Sequence, residues 1–409
     1  MAEVKDKAPI GSIMEVSALD PEARGDPHPK LQALREACPV YRDQAGKAWM
    51  LTRYDDVRAT VNDRSLWRGP SRAEKGAIVR GLDDGESARG EDSHSILFMD
   101  EPDHSRVRLP LAKAFYGRIN AMKAEIEATI DSVLDRAPQS GRFDLISEIG
   151  IPVPILVIAK ILGVEAERVD DFRTWSEDVI LSLNPLRTPE EEARLERGNA
   201  ALEAYFADAM ADRRARPQDD LITDMVKLQA DGADISDDEV RINLESLLIG
   251  GNLTTTDLIG NGVWLFLTHP EEMAKLKADP SLAGAAVEEI LRYESPVGVT
   301  TRVVPDEREI GGCPMHGRHS VWFSLHAANR DPAAFDNPDA FNITREHVSH
   351  VAFGGGSHIC IGAPLARLEA RRVFEDIFTR YPNMTLPDQE LTWRTLPFFR
   401  GLEALEVDV

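Results

Sequence analysis

The sequence predicts a mainly α, α+β protein organised as one large domain over residues 1–409. Three observations predict it. Helical periodicity dominates from about 103 to 232 and returns in three later helices. One of those runs for about 33 residues, long enough at roughly 1.5 Å per residue to cross a whole domain. Strand-like alternation is confined to short stretches, chiefly 297–326, and neither an internal repeat nor a linker divides the chain.

Taken in order, residues 1–30 are polar, contain prolines and show no period, so a loosely held N-terminal arm is expected. Ala48-Trp-Met-Leu-Thr-Arg-Tyr54 reads as a strand and 55–61 as a short helix after it. Residues 81–95 are rich in Gly and Asp and are expected to form a mobile surface loop. The helical stretch that follows is broken at Pro138-Gln-Ser-Gly141, Asn184-Pro185 and Arg216-Pro217. Within it, 188–213 is charged and periodic, the pattern of a solvated helix.

Ser236-Asp-Asp-Glu239 is a capping box and opens the long helix, which His269-Pro270 stops. Its middle, Gly250-Gly251-Asn252-Leu253-Thr254-Thr255-Thr256, is made of poor helix formers, and close approach by a bound ligand is one reason to place them there. Another helix runs from after Pro280 to about Glu294 and ends at Pro296. The alternating stretch 297–326 turns at Gly311-Gly312, and 329–346 is irregular. A Gly-rich loop, 353–362, feeds a last helix over about 363–381, and short strands finish the chain.

The chain carries 47 Lys+Arg against 70 Asp+Glu, a net charge of −23. That balance disfavours nucleic acid and anionic membrane surfaces as partners, since both would repel it. No run reaches the roughly 18 apolar residues that span a bilayer, and the best, 151–164, is interrupted by Lys160. The N-terminus, Met1-Ala-Glu-Val-Lys-Asp-Lys, lacks the apolar core of a signal peptide, so a soluble cytoplasmic protein is expected. Three cysteines, Cys38, Cys313 and Cys360, are too few and too odd a set for a disulfide framework.

The segment with the most chemistry in it is Phe353-Gly-Gly-Gly-Ser-His-Ile-Cys360-Ile-Gly362. A free cysteine is usually a small buried hydrophobe. Here glycines on both sides let backbone approach a flat ligand, and a helix begins just beyond, its amides and dipole directed back at the sulfur. No second Cys or His stands at zinc spacing nearby, so the remaining ligands of a thiolate-bound metal must come from a cofactor, and haem iron meets that requirement.

This segment resembles the haem-binding signature of the cytochrome P450 superfamily, F-G-x-G-x-[HR]-x-C-x-G. Phe353, Gly354, Gly356, His358, Cys360 and Gly362 match it at every defined position. The soluble bacterial, ferredoxin-dependent type is the nearest in character. Glu289-Ile-Leu-Arg292 matches the family's E-x-x-R, whose i,i+3 spacing lets a carboxylate meet a guanidinium on a helix, and Arg345 supplies the meander arginine of that structural cluster. The resemblance implies a helix-rich fold with small sheets, haem b lying between the long helix and the cysteine loop, and Cys360 as axial iron ligand. It implies haem-propionate contacts from His104, Arg108, Arg302 and His358, since buried carboxylates need cationic partners.

On the long helix the family places a small residue, Gly, any residue, an acid, then Thr over the oxygen-binding face. Gly250, Gly251 and Thr254 match; Asn252 occupies the free position and Leu253 stands where the acid is expected. In the family Thr holds water near the iron and the acid relays protons, so Thr254, Gly251 and Asn252 are the oxygen-activation residues implied here, with Leu253 in place of the relay's carboxylate. Asp257, one turn on, either shares that face or pairs elsewhere in the bundle. Phe98, Leu247, Val297, Val299 and Phe398 are the implied substrate pocket, apolar and therefore suited to a small or medium hydrophobic molecule.

The implied function is a monooxygenase that inserts one atom of O2. The alternatives are a peroxide-using or poorly coupled variant, on account of Leu253, and a non-catalytic haem-thiolate binder. The chain shows no dinucleotide fingerprint and no iron–sulfur cysteine cluster, so a [2Fe–2S] ferredoxin with its NAD(P)H reductase is the implied electron source and a monomer the implied state. A basic patch of Arg367, Arg371, Arg372, Arg106, Arg108 and Lys113, interrupted by Glu369, would steer such an acidic partner.

Overall fold

The computed structural model describes residues 8–82 and 94–409, so 83–93, most of the expected loop, lie outside the described residues. The first part of the chain holds α1 (Pro21–Gly25), α2 (His28–Ala37) and α3 (Tyr54–Val61) with β1 (Val40–Asp43) and β2 (Ala48–Leu51). Next come α4 (Asp103–Ala121), α5 (Lys123–Arg136), β3 (Arg142–Asp144), α6 (Pro152–Leu162), α7 (Val169–Val179), α8 (Pro189–Ala215) and α9 (Leu221–Ala230). The long helix is α10 (Asp237–Thr268), followed by α11 (Pro270–Ala278) and α12 (Ala283–Tyr293). Strands β4 (Val299–Val303), β5 (Arg308–Ile310), β6 (Cys313–Met315) and β7 (Ser320–Ser324) lead to α13 (Leu325–Asn329), α14 (Ala363–Arg380) and β8 (Glu406–Asp408). The chain is helix-rich with small sheets, as expected.

The capping box of α10 forms in both directions: Glu239 N donates to Ser236 Oγ at 3.1 Å, and Ser236 N to Glu239 Oε2 at 2.7 Å. Two orphan amides are thereby satisfied at the start of a helix spanning roughly 48 Å. Helices α6, α7, α8, α12 and α14 all pack against α10. Buried aliphatic and aromatic residues from all of them form one continuous core around it.

A smaller sheet, ordered β1-β2-β7-β4, mixes antiparallel, parallel and antiparallel pairing, and its register sets Arg302 opposite Val321. Gly311 and Gly312, at φ 59° and 80°, make the tight turn of the β5–β6 hairpin, where only positive φ matches the strand twist. Among the short closing strands, β8 pairs with β3, a partner that its three residues did not announce.

The expectation of a loosely held arm is corrected for its described part. Ile10, Ile13 and Val16 are buried, and Asp43 accepts from Ser12 Oγ at 2.8 Å and from the Ile13 amide at 2.9 Å. Arg400 also donates to the carbonyls of Arg24 and Gly25, the latter at 2.9 Å. Apolar residues three apart in a single 3-10 turn are too few to register as a period.

Candidate active site

A cavity of about 350 Å³ opens between α10 on one side and the cysteine loop and α14 on the other. Cys360 lines it and is exposed there. The loop holds its sulfur by backbone geometry: Cys360 N donates to Phe353 O at 3.0 Å and Gly354 N to Val351 O at 2.8 Å. Gly354 and Gly356 sit at φ 68° and 66°, which L side chains rarely adopt. Burial pushes the Cys360 thiol up, against the amides of Gly362 and Ala363 and the guanidiniums of Arg108 and Arg367, which pull it down.

The glycines do not all serve a ligand. A Cβ at Gly355 would meet Asn62 Oδ1 at 2.9 Å, and one at Gly356 would meet Val61 O at 2.9 Å, so both are also required for packing against the end of α3. A Cβ at Gly362 would come 3.8 Å from the Cys360 sulfur, and Gly362 itself lines the cavity. Phe353 lines it too, with the Arg367 guanidinium stacked 4.6 Å from its ring centre.

Of the four cationic candidates, Arg108, Arg302 and His358 line this cavity, while His104 is buried behind His358 and does not line it. The His104 and His358 rings lie 4.0 Å apart, and Arg108 donates to the Ile359 carbonyl. Arg302, buried on β4, donates to Thr301 O at 2.8 Å. His104 Nε2 and His358 Nδ1 are buried without a partner, and neither Arg108 nor Arg302 has a carboxylate within ion-pair distance among the described residues. Burial and then the neighbouring His104, Arg68, Arg302 and Arg108 drive the His358 imidazole far below its ordinary range. Burial holds His104 down as well, and brings Arg302 down to about 10. Uncompensated buried cations are costly, so this donor set fits a group bringing carboxylates of its own. With one cysteine sulfur opposite, the residues present fit a flat metal-bearing group with two carboxylate arms, which is what a haem offers.

On α10, Gly250, Gly251 and Thr254 line the cavity. A Cβ at Gly250 would meet nothing within 4 Å and one at Gly251 only Ile158 at 3.9 Å, so the absent side chains leave room for whatever occupies the cavity. Thr254 Oγ1 donates to the Gly250 carbonyl at 2.8 Å. Asn252 is a correction: it is buried but does not line the cavity, because one residue further along the helix turns it about 100° from Gly251. Leu253 does not line it either. Asp257 pairs elsewhere, with Arg394 Nε 2.9 Å away, and burial raises its carboxyl to about 6. All five pocket candidates, Phe98, Leu247, Val297, Val299 and Phe398, line the cavity.

Beneath the site, Arg292 meets Glu289 through two bonds of 2.8 Å, both side chains being fully buried. Arg345 Nε reaches Glu289 at 3.2 Å, and Arg292 also donates to the carbonyls of Asn329, Pro338 and Ala340. The trio ties α12 to the irregular stretch before the cysteine loop. The basic patch is largely a correction. Arg367 pairs with Glu288 at 2.6 Å, Arg371 with Glu375 at 2.6 Å, Arg372 with Asp131 at 2.5 Å, and Arg106 with Asp103 and Glu239. What stands out there is apolar: Leu109 and Ile359 are 67% and 48% exposed.

Two residues escaped sequence reasoning. Arg68, buried and lining the cavity, follows Trp67 in a stretch without period, and nothing in the sequence marks it. Glu369, taken in the sequence only as an interruption of the basic patch, is buried, lines the cavity and keeps Oε1 without a partner; burial pushes its carboxyl well up. Its spacing four residues after Leu365 and four before Val373 on the buried face of α14 was the signal available.

Fold and cavity together are those of a protein built to enclose a thiolate-ligated cofactor. A profile of "Cytochrome P450" matches residues 279–395. The chain is 37% identical over 408 residues to cytochrome P450 107B1 of Saccharopolyspora erythraea, covering 97% of this chain and 98% of the relative. It is 34% identical over 385 residues to the 6-deoxyerythronolide B hydroxylase of the same organism, covering 91% and 94%. The crystal structure of the myxobacterial cytochrome P450 CYP267B1 in complex with myristic acid superposes with a TM-score of 0.88 at 32% identity, over 97% and 99% of the two chains. The chain belongs to the cytochrome P450 family: it is a haem-thiolate monooxygenase, and as such uses O2, an organic substrate and a redox partner. No helix among the described residues is long and apolar enough to cross a membrane.

Proposed function

We propose that this enzyme hydroxylates a small or medium hydrophobic substrate at haem b, with Cys360 as the axial ligand and electrons drawn from a ferredoxin in the cytoplasm, as a monomer. The observation carrying the reading is one cavity that has the Cys360 sulfur on one wall, the open Gly250–Gly251 face on another and, at its edge, Arg108 and Arg302, which have no carboxylate partner among the described residues. When bound, the haem supplies the oxygen chemistry, with the thiolate donating electron density. The chain's residues do the rest. Gly354, Gly356 and the amides after Cys360 fix the sulfur; His104, Arg108, Arg302 and His358 would receive the propionates; Phe353 and Gly362 would border the ring; Glu289, Arg292 and Arg345 brace the loop from below.

Thr254 would hold water over the open face by exchanging its bond to Gly250 O, and Gly251 leaves the room. Phe98, Leu247, Val297, Val299 and Phe398 exclude bulk water and hold an apolar substrate. With most surface arginines already paired, ferredoxin docking would rest on Leu109 and Ile359, flanking Arg108, more than on a basic field. The relatives named as hydroxylases and monooxygenases weigh against the peroxide-using and non-catalytic alternatives. The test is NADH-driven turnover with a surrogate ferredoxin and its reductase, using substrates found by their shift of the haem spin state. Product formed with O2 and reductant is expected; product formed only on adding hydrogen peroxide would overturn the reading.

A further inference from the structure

Arg68 and Arg302 come from different segments, one on the loop after α3 and one on β4, yet both guanidiniums donate to the same oxygen, Thr301 O, at 3.0 and 2.8 Å. Both are buried, and neither has a carboxylate within ion-pair distance among the described residues. Arg302 also donates to Val61 O at 3.4 Å. Like charges brought together out of water repel strongly, and two carbonyl dipoles do not offset two cations. Both line the cavity beside His358, whose Nδ1 is buried without a partner. Arg68 is held there by design of its surroundings. Its Nη1 bonds Thr301 Oγ1 at 2.6 Å, its backbone amide donates to Asp100, and its guanidinium stacks 5.3 Å from the centre of the Phe98 ring. Among the described residues the carboxylate close by, Asp100, is already engaged with Arg72 at 3.4 Å.

We propose that Arg68 is a further haem-propionate residue: it and Arg302 grip one carboxylate between them, and Arg68 thereby fastens the Phe98 wall of the substrate cavity to the cofactor. The proposal rests on the haem reading above. It gives Arg68 a role that geometry requires and that the sequence did not mark, and it makes the shape of the Phe98 wall depend on a loaded haem site.

The test is haem transfer from holoprotein to excess apomyoglobin, followed spectroscopically, for wild type, Arg68→Gln and Arg68→Lys, each loaded with haem or with haem dimethyl ester, whose propionates carry no charge. With haem, Arg68→Gln is expected to lose the cofactor about tenfold faster than wild type, the scale of one charge-assisted hydrogen bond, with Arg68→Lys between the two. With the dimethyl ester the variants and wild type are expected to lose it at one rate. A difference between wild type and variants that persists with the ester means a structural role and overturns the proposal, as does the absence of any difference with haem. Should Arg68→Gln yield no holoprotein, the comparison of wild type with Arg68→Lys reads the same way. Should wild type itself retain ester and acid equally, the propionate reading of the whole cationic cluster fails, which is a separate outcome from failure at Arg68 alone. A long-chain fatty acid and the matching alcohol, compared by spin-state titration, exclude the other carboxylate source: loss of acid-over-alcohol preference in Arg68→Gln with unchanged haem transfer would assign Arg68 to a substrate carboxylate and overturn the proposal.

Discussion

Replacing Glu289 by Gln keeps the volume and removes the one negative charge in the trio beneath the cysteine loop. Glu289 accepts two bonds of 2.8 Å from Arg292, one of 3.2 Å from Arg345 and one of 2.9 Å from the Asn342 amide, all out of water. The Gln amide turns a donor toward guanidiniums that can only donate, and leaves Arg292 buried with its charge uncompensated. Breaking a buried pair in this way costs about 3–5 kcal/mol. Unfolding entropy of about 2.1 cal/mol/K per residue gives roughly 0.9 kcal/mol/K for a chain of this length, so the cost lowers Tm by about 4–6 °C. Thermal unfolding of holoproteins matched in haem content, followed by circular dichroism at pH 7, measures it. Asp408→Asn, which breaks only the exposed pair with Arg142, serves as the control and leaves Tm in place. A Glu289→Gln Tm within about 1 °C of wild type would refute the reasoning, because the trio would then not be bracing the fold.

Asp257 gives a pH signature: burial raises its pKa from 3.8 to about 6, so its contribution to stability is fully present below pH 3.8 and is lost as pH rises through 6. Relative to Asp257→Asn, wild type is expected to lose up to about 3 kcal/mol between those limits, read from urea midpoints at pH 4 and 7; a constant difference would contradict the assignment. Thr254→Ala, which removes the cavity hydroxyl of α10, is expected to lower product formed per NADH while NADH consumption continues, and unchanged coupling would remove Thr254 from the proton path. Leu109→Glu, on the exposed apolar patch, is expected to weaken ferredoxin-supported reduction at least several-fold without changing the haem spectrum, and an unchanged dependence of rate on ferredoxin would place docking elsewhere.

Much of this was legible because the relevant signals are local. The capping box at Ser236, the stop at His269-Pro270 and the hairpin glycines at 311 and 312 each act within a few residues, and the structure forms them where the sequence places them. The cysteine loop is equally local, since its φ requirements and sulfur geometry are written into ten consecutive positions. What escaped depends on partners far away in the chain. Arg68 gains meaning only beside Thr301 and Arg302, more than 230 residues on. The patch arginines Arg367 and Arg372 are neutralised by Glu288 and Asp131, on other helices. Asn252 was misplaced for a different reason: adjacency in sequence to Gly251 stands for the opposite of adjacency on a helix face. Asp257, left open between two partners, was decided by Arg394, 137 residues away.

The central claim is that Cys360 ligates the haem iron of this enzyme. The most direct measurement is the carbon-monoxide difference spectrum of the dithionite-reduced holoprotein, for wild type, Cys360→Ser and Cys360→His. Wild type is expected to show the red-shifted Soret band of a thiolate-ligated ferrous–CO haem, and both variants to lose it, with Cys360→His giving the shorter-wavelength band of an imidazole-ligated haem. A thiolate-type band that persists in either variant would mean that another residue holds the iron and would contradict the account.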